Sequence, residues 1–467
     1  MFFLLYDSLL ILGLMLALPL LPVLALWPRS RQGLTERLGW LPLALRQQAL
    51  IHEGCLWVHA ASLGEVNAVA PVLRELLPHL PRQALIFTCT TVAGRDQARR
   101  LFPQATACLL MPVDLPWLLR PWIRRFKPRL VVVAETELWP NFLREMKRHG
   151  VQVLVANGRL TERSAKRYKV LGSSFAQVLD CVEVFAMQAQ ADADRLVALG
   201  ARRPRVLVAG NTKFDLAADF DAARSKAEAL RRDLGWRKEQ AVVVAGSTRP
   251  GEEALLAQAY LDLKKRSPDA CLIVAPRHLE RVGEAEAALK AAGLKVAKRS
   301  AWAQAKGSSV VLLDTLGELR DFYALAEPAG LAWVGGSFGD FGGQNPLEAA
   351  ALGVPVLFGP SMRHFPEVAA ALLEAGAAQQ VDASALAGAS LTWLEDPKAR
   401  RKAAEAALAC MQARSGASKR TAELAWKLIL VSQMKRQGRS RGQDGFDLVR
   451  DLEPVGPALE ADETRLA

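Results

Sequence analysis

Short apolar runs recur along this chain, and each hands over to a polar or glycine-bearing turn and then to a stretch with helical periodicity. The run 56–59 leads into Ala60-Ala61-Ser62-Leu63-Gly64 and a helix with Val66, Val69, Val72, Leu73, Leu76 and Leu77 on its apolar side. The unit repeats from 85–88 into a basic helix and from 130–134 into Glu135-Thr136-Glu137-Leu138-Trp139-Pro140; 151–156 and 206–209 read as two further strands. These runs are nearly continuous rather than alternating, as burial on both faces requires, so the pattern predicts a parallel sheet with helices on either side. A charged helical region, 216–240, separates this half from a second series at 241–245, 272–275, 310–313, 331–334 and 354–358. The expectation is an α/β chain of two doubly wound, Rossmann-like domains, 29–215 and 241–396, facing across a cleft at the carboxyl ends of their strands. Helical patterns within 397–432 close the fold, with a return to the first domain open to them, and 433–467 is polar and reads as a disordered tail.

One loop organises the second half. Gly335-Gly336-Ser337-Phe338-Gly339-Asp340-Phe341-Gly342-Gly343 joins a strand to a helix opening near Asn345-Pro346, and five glycines allow backbone N–H groups to approach an anion closely. Phosphate is the expected ligand; a connection between two core strands is the alternative.

Residues 2–27 are largely apolar, interrupted by Asp7, Ser8, Pro19 and Pro22, and the basic residues Arg29, Arg31 and Arg37 follow the run instead of preceding it. That order argues against a cleaved signal peptide and for an uncleaved membrane-anchor helix over 1–28 with the body of the protein on the cytoplasmic side. A helix packed on the body is the other reading. The net charge of +12 and a pI near 9.6 call for an acidic partner: nucleic acid, an anionic membrane surface or a phosphorylated substrate. Trp117, Arg120, Trp122, Arg124, Arg125, Phe126, Lys127 and Arg129 interleave aromatics with cations, which suits a membrane-facing patch better than nucleic acid. Six cysteines stand singly without any C-x-x-C, and no histidines have metal-ligand spacing, so neither a disulfide framework nor a metal site is expected. Asp192-Ala193-Asp194 reads as a solvated helix face rather than a metal motif.

Several side chains fall where chemistry is done. Glu65 stands at the handover from strand to helix, where a helix N-terminus keeps a carboxylate ionised as a general base, but Ser62-Leu63-Gly64-Glu65 is equally a capping box. Glu135 and Glu137 lie two apart after a buried strand and, in an extended segment, face one way. Lys213 brings a cation to the end of the first series or is an ordinary turn lysine, and Arg277 after Pro276 suits bidentate contact with phosphate. Glu318 and Glu348 open helices, as acceptors for sugar hydroxyls or as helix-start charges.

Taken in order, Ser62-Leu63-Gly64-Glu65, Glu135-Thr136-Glu137-Leu138-Trp139-Pro140-Asn141, Gly210-Asn211-Thr212-Lys213-Phe214-Asp215, Gly251-Glu252-Glu253, Pro276-Arg277-His278 and Gly343-Gln344-Asn345-Pro346-Leu347-Glu348-Ala349-Ala350 resemble the Kdo transferases of lipopolysaccharide synthesis. The resemblance implies an inverting, membrane-associated GT-B glycosyltransferase of the inner membrane that moves 3-deoxy-D-manno-octulosonic acid (Kdo) from CMP-Kdo to a lipid A precursor, with no cofactor or metal. It implies Glu65 as proton acceptor and Glu135 and Lys213 as transition-state stabilisers. Pro276, Arg277, Leu316, Gly317, Glu318, Asn345, Pro346, Leu347 and Glu348 match its CMP-contacting segments. Arg249 and Gln344 stand where histidine is common in the family, and Leu316 where methionine is usual. A GT-B enzyme using a UDP-sugar and a membrane-tethered nucleic-acid binder are the rival readings.

Overall fold

The structure, a computed structural model, describes residues 2–17, 19, 32–47, 54–80, 84–215, 220–304 and 306–436. The chain divides into two compact units, Met1–Asp215 with Ser415–Ala467, and Leu216–Arg414. In the first, β1 (Cys55–His59), β2 (Ala84–Cys89), β3 (Ala107–Leu110), β4 (Pro128–Ala134), β5 (Gln152–Gly158), β6 (Val184–Met187) and β7 (Val206–Val208) form one sheet in the order β3-β2-β1-β4-β5-β6-β7. Every pairing is parallel. Both faces are covered, which is why its strands read as unbroken apolar runs. Trp57, Val131 and Val153 pack against Trp122, Phe126 and Phe142 on one side; Val58, Leu130 and Val132 pack with Val66, Val69 and Leu73 on the other.

The second unit repeats the plan with β8 (Val242–Thr248), β9 (Cys271–Pro276), β10 (Ala297–Lys298), β11 (Val310–Leu312), β12 (Leu331–Val334), β13 (Val356–Phe358) and β14 (Ala378–Gln380), ordered β10-β11-β9-β8-β12-β13-β14 and again parallel. The expected α/β class with two parallel sheets is present. Four strands were not predicted: β3 and β6, although they are short apolar and buried runs, β10, which has two residues, and β14, the polar Ala378-Gln379-Gln380. Of the region expected to separate the domains, 216–219 lie outside the described residues, and Phe220–Leu234 is a helix of the second unit packed on Leu319–Ala326.

The segment read as closing helices comprises Pro397–Arg414 in the second unit and Ala417–Arg436 in the first. This last helix lies on Leu63–Leu76, burying Ala425, Leu428 and Ile429 in the same core as Val66 and Val69. Its start is fixed from Asp215, whose carboxylate accepts the N–H groups of Gly416 and Ser418, both at 2.5 Å. The tail expected over 433–467 lies outside the described residues beyond Arg436.

Two N-terminal expectations need correction. Phe2–Ala17 is a helix of 16 residues, about 24 Å long at 1.5 Å per residue, against a hydrocarbon core of about 30 Å. Among the described residues no helix is long and apolar enough to cross a membrane; of the anchor expected over 1–28, residues 20–28 lie outside them. The helix is docked by Phe2 and Phe3, which pack on the core, and by two polar side chains: the Tyr6 hydroxyl donates to Asp114 at 3.0 Å, and Asp7 accepts from the Asn141 amide at 2.5 Å and pairs with Arg144 at 3.3 Å. Leu4, Leu5, Leu9, Leu12 and Leu16 remain outside. Helix Pro116–Phe126, read as an aromatic-basic membrane patch, is mostly core: Trp122 and Phe126 are fully buried, Arg120 pairs with Glu145, and only Trp117 of its aromatics is exposed.

Removing the Asp215 cap leaves two helix-start N–H groups without a side-chain acceptor. Asp215→Ala is expected to lower the stability of the first unit by about 1–2 kcal/mol, read from the midpoint of urea unfolding, with Asp215→Asn recovering part of the loss.

Candidate active site

In open parallel sheets ligands bind outside the carboxyl ends of the strands where the strand order reverses. In the first unit that point lies between β1 and β4, and it gathers Glu65 after β1 with Glu135 and Glu137 after β4. Ser62 caps the helix Leu63–Leu76: its Oγ accepts the Glu65 N–H at 3.4 Å, while the Glu65 carboxylate accepts the Ala61 N–H at 2.7 Å and the Ser62 hydroxyl at 3.1 Å. The capping arrangement therefore forms. It does not keep the group fully ionised, as a helix start alone would. Burial first, then the charge of Glu137 with a further push from Glu135, raises the Glu65 carboxyl to about 7, against the hydrogen bonds from Ala61 and Ser62. Capping and a raised carboxyl pKa coincide in one side chain.

Glu135 is not extended, contrary to the same-face expectation. Its φ of 52° is left-handed, a conformation that costs a non-glycine residue on the order of 1–3 kcal/mol and turns the chain sharply off β4. The two glutamates consequently take different partners: Glu135 Oε1 lies 3.6 Å from Lys213 Nζ, and Glu137 accepts the Trp139 indole N–H at 2.9 Å. Burial raises the Glu137 carboxyl above its ordinary range, and Glu135 adds to the rise.

Lys213 is held by a chain of amides that sequence reading did not find. The Asn211 side chain accepts the Lys213 N–H and donates to Gln188, Gln188 donates to the Asn157 carbonyl, and the Asn157 side chain accepts the Thr212 N–H, all at 2.9–3.0 Å. The Thr212 hydroxyl then donates to the Ala68 carbonyl at 2.6 Å, on the helix that carries Glu65. The sequence signal was present as Asn211-Thr212, but nothing local links it to Asn157 or Gln188. Asp192, read as solvated, is buried and accepts the Leu160 N–H at 3.0 Å, whereas Asp194 is exposed.

In the second unit the order reverses between β8 and β12, so Arg249 after β8 and the glycine loop after β12 share that point. The loop's N–H groups are largely engaged, which corrects the phosphate-cradle expectation. Glu252, buried at the start of helix Glu252–Lys264, accepts from Arg249 (2.8 Å), Gly336 (2.6 Å) and Phe338 (3.0 Å). Gly342 donates to the Ser361 hydroxyl, and Gly343 to the Gly336 carbonyl. Glycine is required by close packing instead: a Cβ on Gly335 would meet the Ser247 carbonyl at 2.4 Å, and Gly343, at φ 76°, faces the Met362 sulfur at the same distance. The expected helix at Asn345-Pro346 is a single turn, Leu347–Ala350, whose first N–H donates to Asn345 Oδ1. So short an element has little dipole to offer.

Cations take the place of that cradle at the same sheet edge. Arg277 follows Pro276 at the end of β9, and its N–H donates to Thr248. Burial raises the Glu348 carboxyl against the opposing pull of Arg320 and Arg277. Arg249 Nη1 lies 3.0 Å from His278 Nε2, with its guanidinium over Phe341. Glu318 accepts from Thr315 and Arg299, and Leu316 and Gly317 are exposed beside it, Gly317 at φ 85°. Among the described residues Arg249 Nε and Arg320 Nε are buried with no hydrogen-bond partner. Arginine donors crowded at a switch point are suited to a phosphate or carboxylate.

Two parallel sheets with polar groups collected at both reversal points define a GT-B-like α/β fold. The UDP-GlcNAc 2-epimerase of Neisseria meningitidis shares it, with a TM-score of 0.54 at 16% identity over 82% of this chain and 99% of that one. A family model described as 3-deoxy-D-manno-octulosonic-acid transferase (kdotransferase) matches residues 32–216. The 3-deoxy-D-manno-octulosonic acid transferase of Haemophilus influenzae is 30% identical over 85% of this chain and 91% of its own length, and that of Bordetella pertussis 35% identical over 78% and 85%. The chain belongs to the Kdo transferase family of glycosyltransferases.

The carboxylate cluster makes a direct prediction. Side-chain carboxyl NMR should find Glu65 titrating near 7 instead of near 4.5, and Glu137→Gln, which removes a like charge, should lower that midpoint; an unchanged midpoint would show that the two groups do not interact.

Proposed function

We propose that this chain transfers Kdo from CMP-Kdo to a hydroxyl of a lipid A precursor, with Glu65 as the general base. The observation that carries the reading is the meeting of Glu65, Glu135, Glu137 and Lys213 at one sheet reversal, with Glu65 poised near neutrality in a chain of this family. A base works best when its pKa lies near the working pH. Ionised Glu65 takes the proton of the acceptor hydroxyl as its oxygen bonds to the anomeric carbon of Kdo. The bond from that carbon to the CMP phosphate breaks, and CMP departs with the electron pair. One displacement inverts the anomeric centre. Lys213, paired with Glu135, brings positive charge to the region where negative charge develops. Pro276 and Arg277, Leu316 to Glu318, and Asn345 to Glu348 hold the nucleotide, with Arg277 as the counter-charge to the departing phosphate.

The site of action in this reading is the cytoplasmic face of the inner membrane. Helix Phe2–Ala17 supports it, since Leu4, Leu5, Leu9, Leu12, Met15 and Leu16 are all exposed while Tyr6 and Asp7 tie the helix to the first unit. Such a row favours insertion into one leaflet. A basic chain with an acylated, phosphorylated acceptor gains from the same surface.

Two measurements test these readings. With labelled Kdo generated as its CMP conjugate and a tetra-acylated lipid A precursor, wild type should form product along a rising limb centred near pH 7, because the base must be ionised. Glu65→Gln should lose transfer by at least about a hundredfold while still binding CMP, and competition by UDP instead of CMP would redirect the donor assignment. In flotation with phosphatidylglycerol vesicles, wild type should rise with the lipid and Leu9→Asp/Leu12→Asp should stay behind; equal flotation would refute attachment through this helix.

A further inference from the structure

Arg249 and Gln344, the two positions where histidine is common in the family, have no role in the reaction described above. In the second unit they meet. Gly336, at φ 70°, lies between them, and a Cβ there would stand 3.2 Å from Gln344 Nε2 and 3.5 Å from Arg249 Cγ. Both side chains leave a fixed main chain. The Arg249 N–H donates to Glu252 at 2.8 Å, the Gly336 N–H donates to the same carboxylate at 2.6 Å, and the Gln344 N–H donates to the Gly335 carbonyl at 3.0 Å.

The donors of this pair are left over. Arg249 Nη1 lies 3.0 Å from His278 Nε2, and because a guanidinium only donates, the imidazole accepts there and is neutral in that contact. The guanidinium carbon sits 5.7 Å from the centre of the Phe341 ring. Those two contacts aim the fork. Its Nε is enclosed without an acceptor, and among the described residues neither Nη2 nor the side-chain amide of Gln344 has a hydrogen-bond partner. Glu252 takes only main-chain N–H groups at this point. An aimed guanidinium with donors to spare, beside a free amide, is a receptor for a planar anion.

The pair also adjoins the segments that hold the nucleotide in the proposed reaction. The Arg277 N–H donates at 3.0 Å to the carbonyl of Thr248, the residue before Arg249; His278, on which Arg249 rests, follows Arg277; and Gln344 precedes Asn345. Arg277 is exposed, and it is the counter-charge to the departing phosphate. A second anion then needs its own receptor. Kdo is an ulosonic acid, so its carboxylate and its bond to the CMP phosphate share the anomeric carbon, and the donor presents two negative groups side by side. Arg277 meets one of them; Arg249, a residue away, is placed for the other.

Resting on the proposed transfer reaction, we infer that Arg249 and Gln344 bind the carboxylate of the donor sugar beside its phosphate, and so select an acidic sugar over a neutral one. The test is steady-state transfer with CMP-Kdo as the varied donor and CMP, which lacks the carboxylate, as the product inhibitor. Arg249→Met keeps the stem against Gly336 and Phe341 but removes the fork; it should raise the CMP-Kdo KM roughly tenfold to hundredfold with the CMP inhibition constant unchanged. Gln344→Glu, of the same shape but repelling a carboxylate, should do likewise. Arg249→Lys should recover part of the affinity, whereas Arg277→Ala should weaken CMP and CMP-Kdo together. A CMP inhibition constant that rises in step with the KM in Arg249→Met would assign this arginine to the nucleotide and overturn the inference. So would a CMP-Kdo KM unchanged in both variants. Wild type that binds CMP yet transfers nothing from CMP-Kdo would remove the transfer reading itself, an outcome distinct from an active wild type indifferent to these two side chains.

Discussion

Like charges forced together at the end of β1 and β4 set the terms for the rest of the first unit. Both strands are buried on two faces, so polar groups can emerge only at the carboxyl edge, and at this edge three carboxylates emerge side by side. Their repulsion and partial burial shift Glu65 and Glu137 upward, and the arrangement persists because a cation is fixed beside Glu135. Fixing Lys213 requires the amide chain through Asn211, Gln188 and Asn157, and that chain ends on the helix of Glu65 through Thr212. The return of the chain at Ser415 serves the same end. Asp215, two residues after Lys213, caps the last helix, and Arg420 from that helix donates to the Ala209 carbonyl. The turn carrying the lysine is thereby clamped from both sides.

A second polar knot lies on the other flank of the carboxylates. Asp114 is fully buried and accepts the N–H groups of Asn141 and Phe142, capping helix Pro140–Arg148 directly after the Glu135–Trp139 loop. Burial raises its carboxyl to about 6 in spite of those bonds. Tyr6 and Asp7 of the N-terminal helix insert into this knot. Polar residues thus hold that helix in place together with Phe2 and Phe3, which pack on the core, and its exposed leucines are left for another environment.

The fold was readable because two-sided burial writes itself as continuous apolar runs. Most strands of that kind were found, the four-residue apolar runs of β3 and β6 excepted, while β14, an edge strand ending in Gln379-Gln380, and the two-residue β10 lack the pattern because nothing requires an edge to be apolar. Glu65, Glu135 and Lys213 were legible as polar residues at strand ends and through the family motifs. Asn157, Gln188 and Asp114 were not, since each acts through partners dozens of residues away. Trp122 and Phe126 misled for the converse reason. Interleaved with arginines they mimic an interface, but helical periodicity turns them inward while the arginines reach to Glu145 and the Leu45 carbonyl.

The glycine loop misled more instructively, and Glu252 explains why. Glu65 and Glu252 occupy equivalent local positions, each a carboxylate in the first turn of a helix after a central strand, each reaching back to main-chain N–H groups. Glu252 meets three N–H donors, so its carboxyl oxygens are taken up in tying Arg249 to the glycine loop. Glu65 meets one N–H and one hydroxyl, and it faces two other carboxylates. Three N–H donors make the first group the organiser of a loop; crowding leaves the second close to the point of taking up a proton. The same helix-start signature therefore yields a clamp in one unit and a carboxyl poised near neutrality in the other, and the neighbours that decide between them come from other strands of the sheet.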